Sequence, residues 1–107
     1  MRTLEFNVDK QRLNKKSDCD FRGLVAGTVG YLQAKFYFST DEWNQCSVKI
    51  ARFWIGEQEH AESLDMNDCC VIPAEVLTGS KFEVSVIGAA PGYRIETNKI
   101  TVRQEVY

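Results

Sequence analysis

Apolar residues in this chain recur at every second position, and no stretch carries a convincing helical period. Leu4, Phe6 and Val8 alternate with Glu5, Asn7 and Asp9, which predicts a first strand, because successive strand side chains point to opposite faces. The pattern is strongest over residues 31–39. Leu32, Ala34, Phe36 and Phe38 share one face there, and Tyr31, Gln33, Lys35 and Tyr37 share the other. Residues 49–55 place Ala51, Phe53 and Ile55 on one side, yet Ile50, Arg52 and Trp54 make the other side nearly as apolar. That reading calls for a central strand, or one whose outer face is covered. Near the C-terminus, Phe82, Val84 and Val86 alternate with Glu83, Ser85 and Ile87. A Pro91-Gly92 turn of type II follows. Tyr93, Ile95 and Thr97 continue the rhythm, and Ile100 and Val102 resume it out of phase, so a bulge is expected near Asn98-Lys99. Residues 81–88 and 93–102 therefore read as a terminal hairpin.

The remaining stretches read mostly as connections. Residues 10–20 are polar and basic and read as a loop or arm, and 21–29 form an apolar stretch broken by Gly23 and Gly27. Asp41 and Glu42 mark a turn that Trp43 closes as a core plug. Residues 56–67 are acidic and weakly patterned, with room for a short strand near 61–64. Asp65, Met66, Asn67 and Asp68 are turn residues. A short strand over 69–72 ends at Pro73, which suits the first position of one helical turn. Gly79 then stops it. About seven short strands, with turns every ~8–12 residues, predict an antiparallel sandwich or small barrel forming one domain over residues 1–107.

Thirteen basic residues against fifteen acidic ones leave a net charge of −2, so the chain as a whole exerts no pull on nucleic acid or an anionic membrane. No apolar run approaches the ~18 residues of a membrane span. The charged N-terminus lacks the apolar stretch of a signal peptide, which predicts synthesis and folding in a cytoplasm. Cys19, Cys46, Cys69 and Cys70 fit no zinc spacing, and adjacent Cys69 and Cys70 would point to opposite faces of a strand. They are read as small buried thiols, with no metal and no cofactor.

His60, among Glu57, Glu59 and Glu62, reads as a solvated side chain rather than a general base. No Ser or Cys stands in a nucleophile motif, and no enzyme is expected. The acids Glu57, Glu59, Glu62, Asp65 and Asp68 miss the calcium-loop spacing and read as solvated loop residues. Lys10, Arg12, Lys15 and Lys16 read likewise as a solvated basic segment. The aromatics most open to a binding role are Trp43, Trp54, Tyr31, Tyr37 and Tyr93. Trp43 is assigned to the core. Tyr37 and Trp54, with Arg52, lie opposite the assigned core faces and form the candidate interaction patch, for a partner protein or a sugar.

The stretches GYLQAKFYFS at residues 30–39 with Asp41-Glu42-Trp43, CVIPAEVL at 70–77, FEVSVIG at 82–88, and Thr97-Asn98 resemble a module recurrent in tailed phages and prophages of Gram-positive bacteria. The resemblance covers roughly residues 22–103. It implies an immunoglobulin-like β-sandwich of tail, baseplate or fibre-associated proteins and carries no catalytic motif. The chain ends soon after Val102, so the resemblance favours an accessory subunit without an attached receptor-binding part. The expected partners are other virion proteins and further copies of the chain, as a homo-oligomer. The expected location is the host cytoplasm during assembly and then the virion. The alternative is a carbohydrate- or cell-surface-binding module that uses the aromatic patch.

Overall fold

Nine strands and two short 3-10 turns make up the computed structural model, which describes all of residues 1–107. The strands are β1 (Arg2–Asp9), β2 (Arg12–Lys15), β3 (Leu32–Phe38), β4 (Val48–Ile55), β5 (Gln58–Ser63), β6 (Cys69–Val71), β7 (Lys81–Ala90), β8 (Tyr93–Glu96) and β9 (Ile100–Arg103). They form two sheets. The first runs β2-β1-β3-β6 and the second β5-β4-β7-β8, with β9 also on β7. The fold is an all-β sandwich.

The alternation seen in the sequence sets what each sheet buries. Leu4, Phe6, Val8, Leu13, Leu32, Ala34 and Phe36 line the inner face of the first sheet. Ala51, Phe53, Phe82, Val84, Val86, Ile95 and Val102 line that of the second. Phe6 stacks on Phe36 with ring centroids 5.1 Å apart. Trp43 is fully buried beneath the turn Asp41–Trp43, as a core plug. Its ring packs on Phe38, and its Nε1 donates to the Lys10 carbonyl at 2.8 Å.

The terminal hairpin and its bulge stand where the sequence places them. Ile87 pairs with Glu96 and Val84 with Ile100, so three steps along β7 oppose four along the returning chain. The extra residue lies in the Thr97–Lys99 segment and restores the inward phase of Val102. Gly92 takes φ 72° in the turn before β8. β4 lies between β5 and β7 and is therefore central.

Residues 10–20 differ from the expectation of a loop or arm, because Arg12–Lys15 forms β2 and pairs antiparallel with β1. Only one of its residues, Leu13, is buried. A single inward leucine leaves no periodic signal, yet its burial contributes about 2 kcal/mol. The tight turn into β2 puts Lys10 in the left-handed region at φ 55°. Thr40 Oγ1 accepts from its N–H at 2.9 Å, and Trp43 Nε1 holds its carbonyl. The apolar stretch 21–29 forms no strand. Gly23 and Gly27 take positive φ, and the segment folds as turns with one isolated parallel bridge, Val25 to Glu105. β1 and β3 pair in parallel. The strand count is thus nine rather than about seven, and one pairing departs from the antiparallel rule.

The two sheet ends are not equivalent. On one side β2 is stitched to the bulge of the second sheet. Asn98 Oδ1 accepts from the Leu13 N–H at 2.7 Å, Asn98 Nδ2 donates to the Leu13 carbonyl, and Gln11 Nε2 donates to the Glu96 carbonyl. On the other side β5 and β6 lie near each other, and the Asp65 N–H donates to the Cys69 carbonyl.

Candidate functional site

β4 alternates the buried Ala51 and Phe53 with Arg52 and Trp54, which therefore stand on the outer face of the second sheet. The neighbouring strands complete a polar cluster around them. Glu59 on β5 faces Trp54, Ser85 on β7 faces Arg52, and Glu96 lies one strand further on β8. Arg52 donates to Glu59 and to Glu96, and Arg94 donates to the second oxygen of Glu96 at 3.3 Å. The Arg52 side chain is only 18% exposed, although it lies on an outer face. Its guanidinium lies 4.7 Å from the centre of the Trp54 ring, and Lys99 Nζ lies 3.7 Å from it. Trp54 Nε1 points to the Ser85 hydroxyl at 3.4 Å. The hydrogen bond from Arg52 holds the Glu59 carboxyl below the usual carboxylate range. This face is an ion-paired surface on which the tryptophan ring is largely claimed by two cations of its own chain.

Tyr37 does not join this cluster. It alternates with the buried Phe36 on β3, so it stands on the outer face of the first sheet, across the sandwich from Trp54. Its hydroxyl donates to the Glu5 carboxylate, a bond that raises the phenol's pKa. Lys16 and Lys35 each place an ammonium 5.3 Å from its ring centre. The structure thus brings Arg52 and Trp54 together and puts Tyr37 elsewhere. Both faces read as "outward" in the sequence, and alternation alone carries no information about which sheet owns a strand.

The other candidates disperse. Tyr93 donates to the Glu42 carbonyl at 2.8 Å and packs against the core. Tyr31 is half exposed at the end of the sandwich where Met1 and Val29 also lie open. His60 sits on β5 opposite Phe53. The four cysteines are unpaired thiols. Burial pushes the Cys70 thiol up to about 12 and raises Cys46 and Cys69 as well. No three Cys, His, Asp or Glu side chains converge on a common point.

Three shallow clefts mark the surface. One of about 270 Å³ lies between Cys46–Lys49 and Leu64–Asp68, one of about 420 Å³ lies beside Asp9–Arg12 and Asn98, and one of about 130 Å³ lies among Arg2, Leu24 and Tyr31. None is lined by Tyr37, Arg52 or Trp54.

Sheet order and exposed edges define the protein as a β-sandwich module with an ion-paired outer face on its second sheet. No family model and no curated protein matches the chain. Among solved structures it is similar to the N-terminal domain of phage TP901-1 ORF48. The superposition has a TM-score of 0.53, spans 99% of this chain and 98% of that one, and aligns 13% identical residues. At that identity the likeness is one of fold.

Proposed function

We propose that this chain is an accessory structural protein of a phage or prophage virion, acting through protein–protein assembly and without catalysis. The observation that carries the reading is the end-to-end coincidence of fold with a phage protein's N-terminal domain, across 99% of the chain. The sequence stretches at residues 30–39, 70–77 and 82–88 point to the same class of module, including its immunoglobulin-like character and its place in a tail or baseplate. The surface agrees with such a role. The outer face of its second sheet is ion-paired and its clefts are shallow, an arrangement suited to packing against other proteins rather than enclosing a small molecule.

The carbohydrate-binding alternative needs Tyr37 and Trp54 in one concave site. They lie on opposite faces, and Trp54 is occupied by Arg52 and Lys99. The test is to purify intact particles by density gradient from a lysate of the strain that encodes the chain, and to look for the chain in them by mass spectrometry. Its presence at stoichiometry comparable to known virion proteins is expected. Its absence from intact particles, with abundant free protein in the lysate, would overturn the reading.

A further inference from the structure

The charge of this chain is unevenly placed along the second sheet. From Phe53 to Ser80 the sequence holds six acids, Glu57, Glu59, Glu62, Asp65, Asp68 and Glu75, and no lysine or arginine. β5 and its flanks lie in that stretch and form one edge of the sheet. The opposite edge carries Arg94 on β8, Lys99 in the bulge and Arg103 on β9, all exposed; Arg94 is paired with Glu96, so Lys99 and Arg103 are the cations left beside β9.

Both edges also present unused backbone. The bond from the Leu64 N–H to the Lys49 carbonyl sets the alternation of β5 on β4. It turns the N–H and C=O groups of Glu59, Ala61 and Ser63 away from the sheet, where β5 has no further partner strand. The bond from the Gln104 N–H to the Ser80 carbonyl does the same for β9 and turns Thr101 and Arg103 outward, whereas the next outward residue, Glu105, is already bonded to Leu24 and Ala26, so the open stretch of this edge is Ile100–Arg103. In the first sheet, by contrast, the outward groups of Leu13 on the β2 edge are taken by Asn98.

We propose that copies of this chain associate head to tail, the β5 edge of one adding to the β9 edge of the next. Strand direction permits it. β5, β4, β7 and β9 alternate along the sheet, so β9 of one copy and β5 of an identically oriented neighbour run antiparallel. The sheet then continues unbroken through successive copies, and its acidic edge meets a basic one. Pairing β5 with β5 would instead set Glu57, Glu59 and Glu62 against their own kind, which disfavours a two-fold dimer on that edge. Such a heterologous contact closes into a ring or grows as a filament, according to the rotation between copies. The inference rests on the assembly role proposed above and supplies its contact surface.

The test is sedimentation equilibrium across a wide concentration range at low and high salt. Mass should rise above the 12.2 kDa monomer with concentration and fall back with salt. Glu57→Lys with Glu62→Lys should weaken association roughly tenfold or more, and so should Lys99→Glu with Arg103→Glu. Mixing the two variants should restore association, because one then offers only basic edges and the other only acidic ones. Ala61→Pro, which removes an outward N–H and leaves the β4 ladder intact, should abolish it with an unchanged far-ultraviolet circular dichroism spectrum. A wild-type chain that stays monomeric throughout would overturn the inference, as would charge variants that associate like wild type or a mixture that stays dissociated. A monomeric chain found in intact particles would leave the virion role standing and remove only this contact.

Discussion

Gly88 is the position where one added methyl group meets the least room. It lies on β7 with its backbone in the extended region, so no conformational reason demands glycine there. A Cβ built on it would sit 2.8 and 2.9 Å from two carbons of the Trp43 ring and closer still to Cys46 Sγ. The thiol belongs to a half-exposed loop residue and can turn aside. The ring is fully buried, packed on Phe38 and tied to the Lys10 carbonyl through Nε1, so it cannot move without loosening the β1–β2 turn. Overpacking of this kind costs about 1–3 kcal/mol. The lost chain freedom of the unfolded state returns about 0.4–1 kcal/mol. Gly88→Ala should therefore destabilise by about 1–2 kcal/mol, a fall in Tm on the order of 5–10 °C. The assay is thermal and urea unfolding, with Trp43→Phe as the partner in a double-mutant cycle. Trp43→Phe alone should destabilise through the lost indole hydrogen bond and the space left behind. Combined with Gly88→Ala, it should cost at least about 1 kcal/mol less than the sum of the two, because the smaller ring makes room for the methyl. A variant Gly88→Ala as stable as wild type, or strictly additive losses, would refute the reasoning that the indole defines the space over Gly88.

Other perturbations probe the edges and the ion cluster. Lys10→Gly should stabilise the fold by about 0.5 kcal/mol, because relief of a left-handed φ of 55° outweighs the extra chain freedom of glycine in the unfolded state while the N–H and C=O bonds to Thr40 and Trp43 remain; an unchanged or lower Tm would count against strain at that turn. Asn98→Ala should cost about 1–2 kcal/mol and raise hydrogen exchange at the Leu13 amide above its neighbours; unchanged protection would show that another group closes the β2 edge. Glu59 has its carboxyl held below its ordinary 4.5 by Arg52, so its contribution is complete above that pH and is lost as pH falls through the lower folded value. In an Arg52→Ala variant this part of the acid-side loss of stability should vanish, as read from unfolding midpoints on an acid series. Cys70, with its thiol pushed up to about 12, should resist a thiol reagent at neutral pH until the protein unfolds; rapid labelling of the native chain would contradict its burial.

Much of this architecture is legible in local pattern because β structure writes its inward face at every second residue. Leu32, Ala34 and Phe36 show β3, the two apolar faces of residues 49–55 announce a central β4, and the phase slip between Thr97 and Ile100 locates the bulge. These are properties of neighbouring residues, and the pleat alone decides them. The candidate site was legible only in halves. Arg52 and Trp54 share a strand face and do meet, whereas Tyr37 resembles them in local pattern only because it too points away from a core. Which sheet a strand joins depends on pairing across long separations, such as β1 with β3, and no residue of Tyr37's own neighbourhood records it. The same limit hid β2, whose burial of Leu13 and closure by Asn98 involve a partner 85 positions away. It also hid the inequality of the edges, since the acids of residues 53–80 and the cations of β8 and β9 become opposite ends of one sheet only after folding. Local pattern therefore suffices to specify an all-β chain and its inward residues. Which outward residues share a face, and which backbone groups are left without partners, follows from strand pairing over long separations and so emerges only on folding.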